Sequence, residues 1–270
     1  ILIGLVGSEM CIRDRLHSVL KAETNCFQNG SIIAATHVVA IDDDATSAMY
    51  AAKLYHQIHK KHGYYPTVLC VGGKGLMSRH THQKSEAELL AYTAQKLGVA
   101  CEHIVILGEG KNSGDNVLAV AFELKGKNAV VIWCATQRLS LRLERTQAKQ
   151  APEIKSYYFV ICQTIDEVMR LYNGKGLCGG QMLLHELASI LNRCEAYAGT
   201  FQQPLEFKIS DDVRKAAKLL ENNYRLKLPQ KNVRSYMQLI KLYLSVLKNK
   251  KHMKDDLEFA ITAFRKQLDC

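Results

Sequence analysis

The sequence predicts an α/β fold, a doubly wound parallel sheet followed by a mostly helical C-terminal part. Two observations lead to this prediction. Between Ser31 and about Ile161, short β-branched runs alternate with longer amphipathic stretches, which is the rhythm of consecutive strand–helix–strand units. The strand candidates are continuous apolar runs, as expected for strands that helices cover on both faces. The 270 residues, 47% of them hydrophobic and 23% charged, are enough to bury the core of such a sheet.

Strands and helices are predicted in strict alternation in this region. The predicted strands are His37–Ile41, Thr67–Gly72, Ile104–Leu107, Ala129–Cys134 and Tyr157–Ile161. The helices predicted after the first four strands are Ala45–His62, Ser85–Leu97, Gly114–Leu124 and Arg138–Gln150. In sheets of this kind, ligands bind at the loops beyond the carboxyl ends of the strands. The loops of interest are therefore 42–44, 72–84, 109–113 and 135–137.

The pattern changes after Ile161. Residues 162–228 predict a helical or mixed extension, with helices at 165–171, 183–193 and 211–223 and a short strand or extended connection at 201–209. Residues 229–270 predict a basic helical hairpin, because apolar side chains recur there every three or four positions. Its apolar stripe needs a packing partner, either its own domain or a second copy of the chain. A homo-oligomer formed through the C-terminal helices is thus one expectation.

The first fifteen residues are treated separately. Val6 to Arg15 reads VGSEMCIRDR, which resembles a translated sequencing-adapter fragment, so Ile1–Arg15 is expected to be non-native and is left out of the fold prediction. The native start, and any anchor in it, would then lie outside the sequence. No stretch approaches the ~18 apolar residues of a membrane span, so a cytoplasmic location is expected.

The formal net charge of +10 is concentrated near the C-terminus. Lys208 to Cys270 holds 15 basic and 7 acidic residues. A basic segment is compatible with nucleic acid or an acidic membrane surface. Here the lysines alternate with apolar residues at helical spacing, which favours a solvated helix face, so no nucleic-acid partner is expected.

The nine cysteines form no CxxC pair and show no zinc-site spacing. Cys70, Cys134 and Cys162 lie in apolar runs, which predicts buried, reduced thiols. His80 and His82 form a His-x-His pair, but no cluster of acids or histidines accompanies them, so a solvated loop is the interpretation and no metal is expected.

The most informative segment is Val71–Leu90. Gly72, Gly73 and Gly75 allow the chain to leave the strand tightly and a ligand to come close to the backbone, and Lys74 offers a positive charge. The segment is not a P-loop, because no Lys-Ser/Thr pair opens a helix directly after it.

The next helix start combines structural and functional candidates. Ser85 and Glu88 form a capping box, and Glu86 lies in the first turn. Glu86 either faces the crevice or complements the helix dipole.

Polar residues also follow the remaining strands. Ser113 is predicted as a helix N-cap, with Gly114, Asp115 and Asn116 in the first turn, where free N–H groups attract polar or anionic ligands. After the fourth strand come Thr136, Gln137, Arg138 and Arg142. Arginine suits bidentate capture of a carboxylate or phosphate, and a surface ion pair is the alternative.

Three acids, Asp42, Asp43 and Asp44, follow the first strand. They would repel one another unless they are solvated, cap a helix or bind a ligand rich in donors. Asp44 is a candidate N-cap, and an acid at this strand end can also hold ribose hydroxyls.

Read in order, four segments resemble the YdcF-like family, bacterial domains of undefined activity that include SanA- and ElyC-type envelope proteins. The segments are VGGKG, SEAELLAYTAQKLGV, HIVILGEGKNSGDN and VVIWCATQRLSLRLERT, and the resemblance covers about residues 31–160. The helical stretch to about Leu228 is similar more loosely. The resemblance implies a Rossmann-like core and a ligand such as S-adenosylmethionine or a related nucleotide.

The resemblance also implies site positions. The family's glycine loop, Ser-Glu-Ala motif, polar helix start and arginine correspond to Gly72, Gly73 and Gly75, then Ser85, Glu86 and Ala87, then Ser113 and Asn116, and finally Arg142. Many members have a histidine three residues before the arginine, where this chain has Leu139, and this departure weakens any mechanism that needs a histidine base there. The usual glycine after strand one is replaced by Asp42–Asp44.

Three functions compete. The first is a small-molecule site for an adenosyl or nucleotide ligand, with S-adenosylmethionine as the leading candidate. The second is a hydrolase or transferase acting on a phosphorylated or cell-envelope precursor, with Glu86 as general base. The third is a non-catalytic interaction protein that uses the basic hairpin.

Overall fold

A computed structural model describes residues 24–41, 45–74, 84–162, 193, 195–205, 211, 214 and 215. A short antiparallel hairpin comes first, formed by β1 (Phe27–Gln28) and β2 (Ser31–Ile32). The larger sheet contains β3 (His37–Ile41), β4 (Thr67–Val71), β5 (Ile104–Leu107), β6 (Val130–Thr136) and β7 (Lys155–Ile161). The helices that lie wholly within the described residues are α1 (Thr46–His62), α2 (Glu86–Lys96), α3 (Ser113–Glu123) and α4 (Gln137–Gln150), and a 3-10 turn lies at Cys101–His103.

The sheet confirms the predicted α/β class. Its order is β5-β4-β3-β6-β7, and each neighbouring pair is parallel, so this is a Rossmann-like arrangement. The direction of winding reverses between β3 and β6, which lie side by side. In open α/β sheets, the crevice outside the carboxyl ends of the strands at such a reversal is where ligands bind.

Helices cover both faces of the sheet. Consecutive strand residues point to opposite sides, and because both sets are apolar, each face must be shielded from water. Val38, Ala40 and Cys70 belong to the core that α1 and α2 cover. Val39 and Leu69 belong to the second core, where the side chains of α3 and α4 pack. Because both faces of the strands are covered, successive strand residues are apolar, which explains the continuous apolar runs in the sequence.

The two edges of the sheet differ. The residues before β1 run along the outer side of β7: Asn25 donates its backbone N–H to the carbonyl oxygen of Tyr158 at 3.0 Å and accepts the Tyr158 N–H at 2.6 Å through its side chain. The Thr24 hydroxyl accepts the Val160 N–H at 3.0 Å. No described strand pairs with the outer side of β5. The fold therefore includes residues from Thr24 onward, before the predicted start at Ser31.

The described part of the C-terminal region packs beside α4. The Arg145 guanidinium donates through Nε to the carbonyl oxygen of Gln203 at 2.8 Å, and Gln150 donates to the carbonyl oxygen of Phe201 at 3.1 Å. Residues 201–205 of the predicted extended segment contain only an isolated bridge, between Ala198 and Gln202. The predicted basic hairpin at 229–270 and the segment Ile1–Arg15 lie outside the described residues.

The thiol prediction is right for two of its three residues. Cys70 and Cys134 are buried, and burial raises the pKa of Cys70 to about 12, which makes this thiol a poor nucleophile. The prediction for Cys162 was wrong: β7 ends at Ile161, and Cys162 is exposed beyond it.

Among the described residues, no helix has the length and apolar character needed to cross a bilayer.

A buried polar network joins α4 to β7. The Tyr158 hydroxyl donates to Gln147 Oε1 at 2.8 Å, and Gln147 Nε2 donates to the carbonyl oxygen of Ala151 at 2.7 Å. Burial raises the pKa of Tyr158, so the hydroxyl stays protonated as the donor. The network satisfies polar groups that the fold takes out of water.

We expect Tyr158→Phe to lower the free energy of unfolding by about 1–2 kcal/mol, because it leaves Gln147 Oε1 buried without its donor. Urea denaturation at pH 7 measures the change. Tyr157→Phe is the control, since Tyr157 lies on the same strand but is only half-buried. An equal loss in both variants would contradict the role of the network.

Candidate functional site

The loops after β4 and β5 touch at the carboxyl edge of the sheet. The Gly73 N–H donates to the carbonyl oxygen of Gly110 at 2.9 Å, and the Gly72 N–H donates to the carbonyl oxygen of Leu107 at 3.1 Å. A Cβ on Gly73 would lie 2.1 Å from the Gly110 oxygen. Gly72 has a φ of 147°, which side chains rarely adopt. These glycines thus allow two loops to pack together, a role that the sequence interpretation had given to a ligand.

Helix α2 starts directly on this junction. The Ala87 N–H donates to the carbonyl oxygen of Gly72 at 2.8 Å, and the Glu86 N–H donates to that of Gly73 at 3.3 Å. The Glu86 side chain folds back over the glycine, because a Cβ on Gly72 would lie 3.0 Å from Glu86 Oε2. As the first residue of α2, Glu86 also places its carboxylate at the positive end of the helix dipole.

The predicted capping box of α2 is confirmed. The Ser85 hydroxyl accepts the Glu88 N–H at 3.2 Å, and Glu88 Oε2 accepts the Ser85 N–H at 2.7 Å. The hydrogen bonds from the Ser85 backbone and hydroxyl hold the pKa of Glu88 below its usual range. Ser85 also packs against the next loop, since a Cβ on Gly108 would lie 2.9 Å from its Oγ.

The start of α3 differs from the prediction by one residue. The N-cap is Asn112, whose Oδ1 accepts the Asp115 N–H at 3.0 Å, and not Ser113, which is the first helical residue. Asp115 Oδ2 in turn accepts the Lys111 N–H at 3.0 Å. Both Asn and Ser are good caps, so residue type alone does not distinguish these two adjacent positions.

Asn116 lies over the glycine junction. A Cβ on Gly110 would be 1.8 Å from Asn116 Oδ1, so the side chain occupies the space that Gly110 leaves open. Asn116 Oδ1 is buried and accepts no hydrogen bond from the described residues. Gly114, two positions earlier, is less constrained, since its Cβ would meet only Asn112 Oδ1, at 3.1 Å.

A guanidinium from α4 reaches the same helix start. Arg142 Nη2 donates to the Ser113 hydroxyl at 3.2 Å across 29 positions of sequence. Of the other candidates that follow the fourth strand, Thr136 ends β6 and Gln137 begins α4, and both side chains are buried. These two residues lie beside the winding reversal, at the end of the strand that neighbours β3.

The predicted site is therefore brought together in large part. Loop contacts and hydrogen bonds connect Gly72, Gly73, Ser85, Glu86, Ser113, Asn116 and Arg142. Lys74 is exposed at the rim. Asp42, Asp43, Asp44, Gly75, His80 and His82 lie outside the described residues, and α1 begins after Ala45 without a side-chain cap, so Asp44 is not its N-cap.

Sequence reasoning missed Asn112, Gly108 and Gly110. A signal for each was present, because Gly108 and Gly110 follow a strand end just as Gly72 and Gly73 do, and Asn112 stands three residues before an acid. In the described part of the chain, no group of three or more His, Cys, Asp or Glu residues is arranged to hold a metal ion. Comparison with protein-family models, curated proteins and solved structures gave no match.

We expect Gly73→Ala to destabilise the protein by about 2–4 kcal/mol, because the added methyl group collides with a backbone carbonyl that cannot rotate away. Gly114→Ala is the matched control and should change the stability by less than about 1 kcal/mol, since its neighbour is a side chain and alanine favours helix. Chemical denaturation of both variants measures their free energies of unfolding. Similar values would contradict the prediction and show that the loops after β4 and β5 can move apart without loss of stability.

Asn112→Ala should cost about 1 kcal/mol through loss of the α3 cap, whereas Ser113→Ala should leave the cap intact. Thermal and urea unfolding of the two variants compare these adjacent positions directly. Because Ser113 also accepts a hydrogen bond from Arg142, the comparison is repeated in the Arg142→Gln background. A larger loss at Ser113 in that background would restore the N-cap that the sequence predicted.

Proposed function

We propose that the chain binds an adenosyl or nucleotide small molecule, with S-adenosylmethionine as the leading candidate, at the carboxyl edge of the sheet. The observation that carries the proposal is the convergence of two helix N-termini and a guanidinium on one glycine junction. The start of α2 brings Glu86, and the start of α3 brings Ser113 and Asn116. Arg142 reaches the α3 start from α4. The YdcF-like resemblance, which remains part of this proposal, places its site on the same residues.

The chemistry of these groups suits a ligand with both donors and an anionic end. The Glu86 carboxylate accepts hydrogen bonds from ribose hydroxyls or an amino group. Arg142 and the first N–H groups of α3 attract a carboxylate or phosphate. S-adenosylmethionine offers all of these groups, whereas a nucleotide offers hydroxyls and phosphate.

The buried acceptor on Asn116 adds support. A buried carbonyl oxygen without a donor costs about 1–3 kcal/mol, and a ligand hydroxyl or amino group would remove that cost. The oxygen lies at the glycine junction itself, because a Cβ on Gly110 would be only 1.8 Å from it.

Isothermal titration of S-adenosylmethionine, ATP and AMP tests the proposal. We expect binding of S-adenosylmethionine that weakens about ten-fold or more in both Glu86→Gln and Arg142→Gln, because each variant removes one charge-assisted hydrogen bond. Glu123→Gln is the control, since Glu123 pairs with Lys127 at the far end of α3. Folding of each variant is checked by circular dichroism.

The ligand panel separates two failures. Binding of ATP or AMP without S-adenosylmethionine would keep the site and change the ligand to a nucleotide. Equal affinity in the parent chain and both site variants would place the ligand elsewhere, and no binding of any of the three would reject the proposed function.

A further inference from the structure

Helix α3 carries an apolar stripe that the described core does not cover. Val117 and Val120 are buried against the sheet, but Leu118 is 48% exposed and Phe122 is 81% exposed. At 100° per residue, these two side chains lie one turn apart on the same flank of the helix. Asp115 lies about one turn before them, and Lys125 lies in the turn just beyond Leu124, the C-cap of α3. We define Asp115, Leu118, Phe122 and Lys125 as the α3 stripe.

The stripe lies on the flank away from α4. Ser113, which contacts Arg142 of α4, and Asn116 lie on the opposite flank by the same helical geometry. The α3 stripe is therefore on the side of the edge strand β5, whose outer side has no paired strand in the described part of the chain. The opposite edge, by contrast, is covered by Thr24 and Asn25.

The order of charges along the stripe makes it complementary to itself. An acid stands at the amino end and a lysine at the carboxyl end, with the two apolar residues between them. When two such helices lie antiparallel about a two-fold axis, Leu118 of one copy meets Phe122 of the other, and Asp115 meets Lys125. The helix dipoles are also opposed in this arrangement, which is favourable. A two-fold contact uses the same patch on both subunits, so it requires this kind of self-complementarity.

We infer that the α3 stripe is the contact between two copies of this chain, packed with their α3 helices antiparallel beside the β5 edges. The occupant is a second copy, because both the apolar pair and the charged pair are matched when the helix meets itself. This inference does not depend on the proposed ligand.

Sedimentation velocity and light scattering of the full chain, at concentrations from about 1 to 100 µM, test the association. We expect a mass of twice the 30.3 kDa of one chain. Phe122→Glu should raise the dimer dissociation constant about ten-fold or more, because it buries a charge at the centre of the contact. Phe201→Glu is the matched control: Phe201 is 61% exposed but lies outside the stripe, so the dimer should persist.

A charge exchange tests the antiparallel arrangement. Asp115→Lys and Lys125→Glu should each dimerise more weakly alone, since each places like charges opposite each other. Mixed together, they should form a heterodimer, because both charged pairs are then restored. The effect should fade at high salt, as expected for exposed ion pairs.

Several results would overturn the inference. A monomeric parent chain over the whole concentration range would mean that another segment of the chain or a different protein covers the stripe. A dimer unchanged by Phe122→Glu would place the interface elsewhere. If Phe122→Glu does not fold, the charge exchange decides, and failure of the mixture to recover the dimer rejects the antiparallel contact.

Discussion

The carboxyl edge of the sheet depends on the contact between Gly73 and Gly110, where a backbone N–H meets a carbonyl oxygen at 2.9 Å. Neither position has room for a side chain, since a Cβ would lie 2.1 Å from that oxygen on one side and 1.8 Å from Asn116 on the other. Because the loops meet so closely, the starts of α2 and α3 share one rigid frame. The carbonyl groups of Gly72 and Gly73 accept the first N–H groups of α2, and Asn116 holds α3 over the same point.

The close contact between the two loops gives the glycine-rich segment a structural role. Glycines after a strand suggest a backbone that approaches a ligand. Here the absence of side chains at Gly73 and Gly110 allows the loops after β4 and β5 to contact each other. In the proposed site, recognition therefore falls to three side chains around the junction, namely Glu86, Asn116 and Arg142. A carboxylate, an amide and a guanidinium from three different helices favour a ligand with several kinds of polar group. Their attachment to helices, rather than to loop tips, provides the preorganisation that tight binding requires.

The fold could be predicted from sequence because each central strand is an apolar run and each helix has a strong periodic pattern. His37–Ile41 and Ile104–Leu107 were predicted with their observed bounds. The hairpin formed by Phe27–Gln28 and Ser31–Ile32 was missed, because two-residue strands have no periodicity to detect. The proximity of several candidate residues was predicted, but the contacts between them were not. Sequence names glycines without showing what a Cβ would strike, and the pairing of Arg142 with Ser113 depends on how α4 packs on α3.

The eleven residues of helix α3 contribute to the core, to the glycine junction and to the exposed α3 stripe. Val117 and Val120 fix it to the sheet, Asn116 closes the glycine junction on one flank, and Leu118 and Phe122 occupy the other flank. Because successive side chains are turned by 100°, the residues for the core, for the glycine junction and for the stripe occupy different positions of the helix. Asp115 has two roles: one of its oxygens accepts the Lys111 N–H before the helix, and its charge stands at the amino end of the α3 stripe. The hydrogen bond from the Lys111 N–H holds that carboxylate in place, so the first turn of the helix also sets the register of the inferred contact with a second copy.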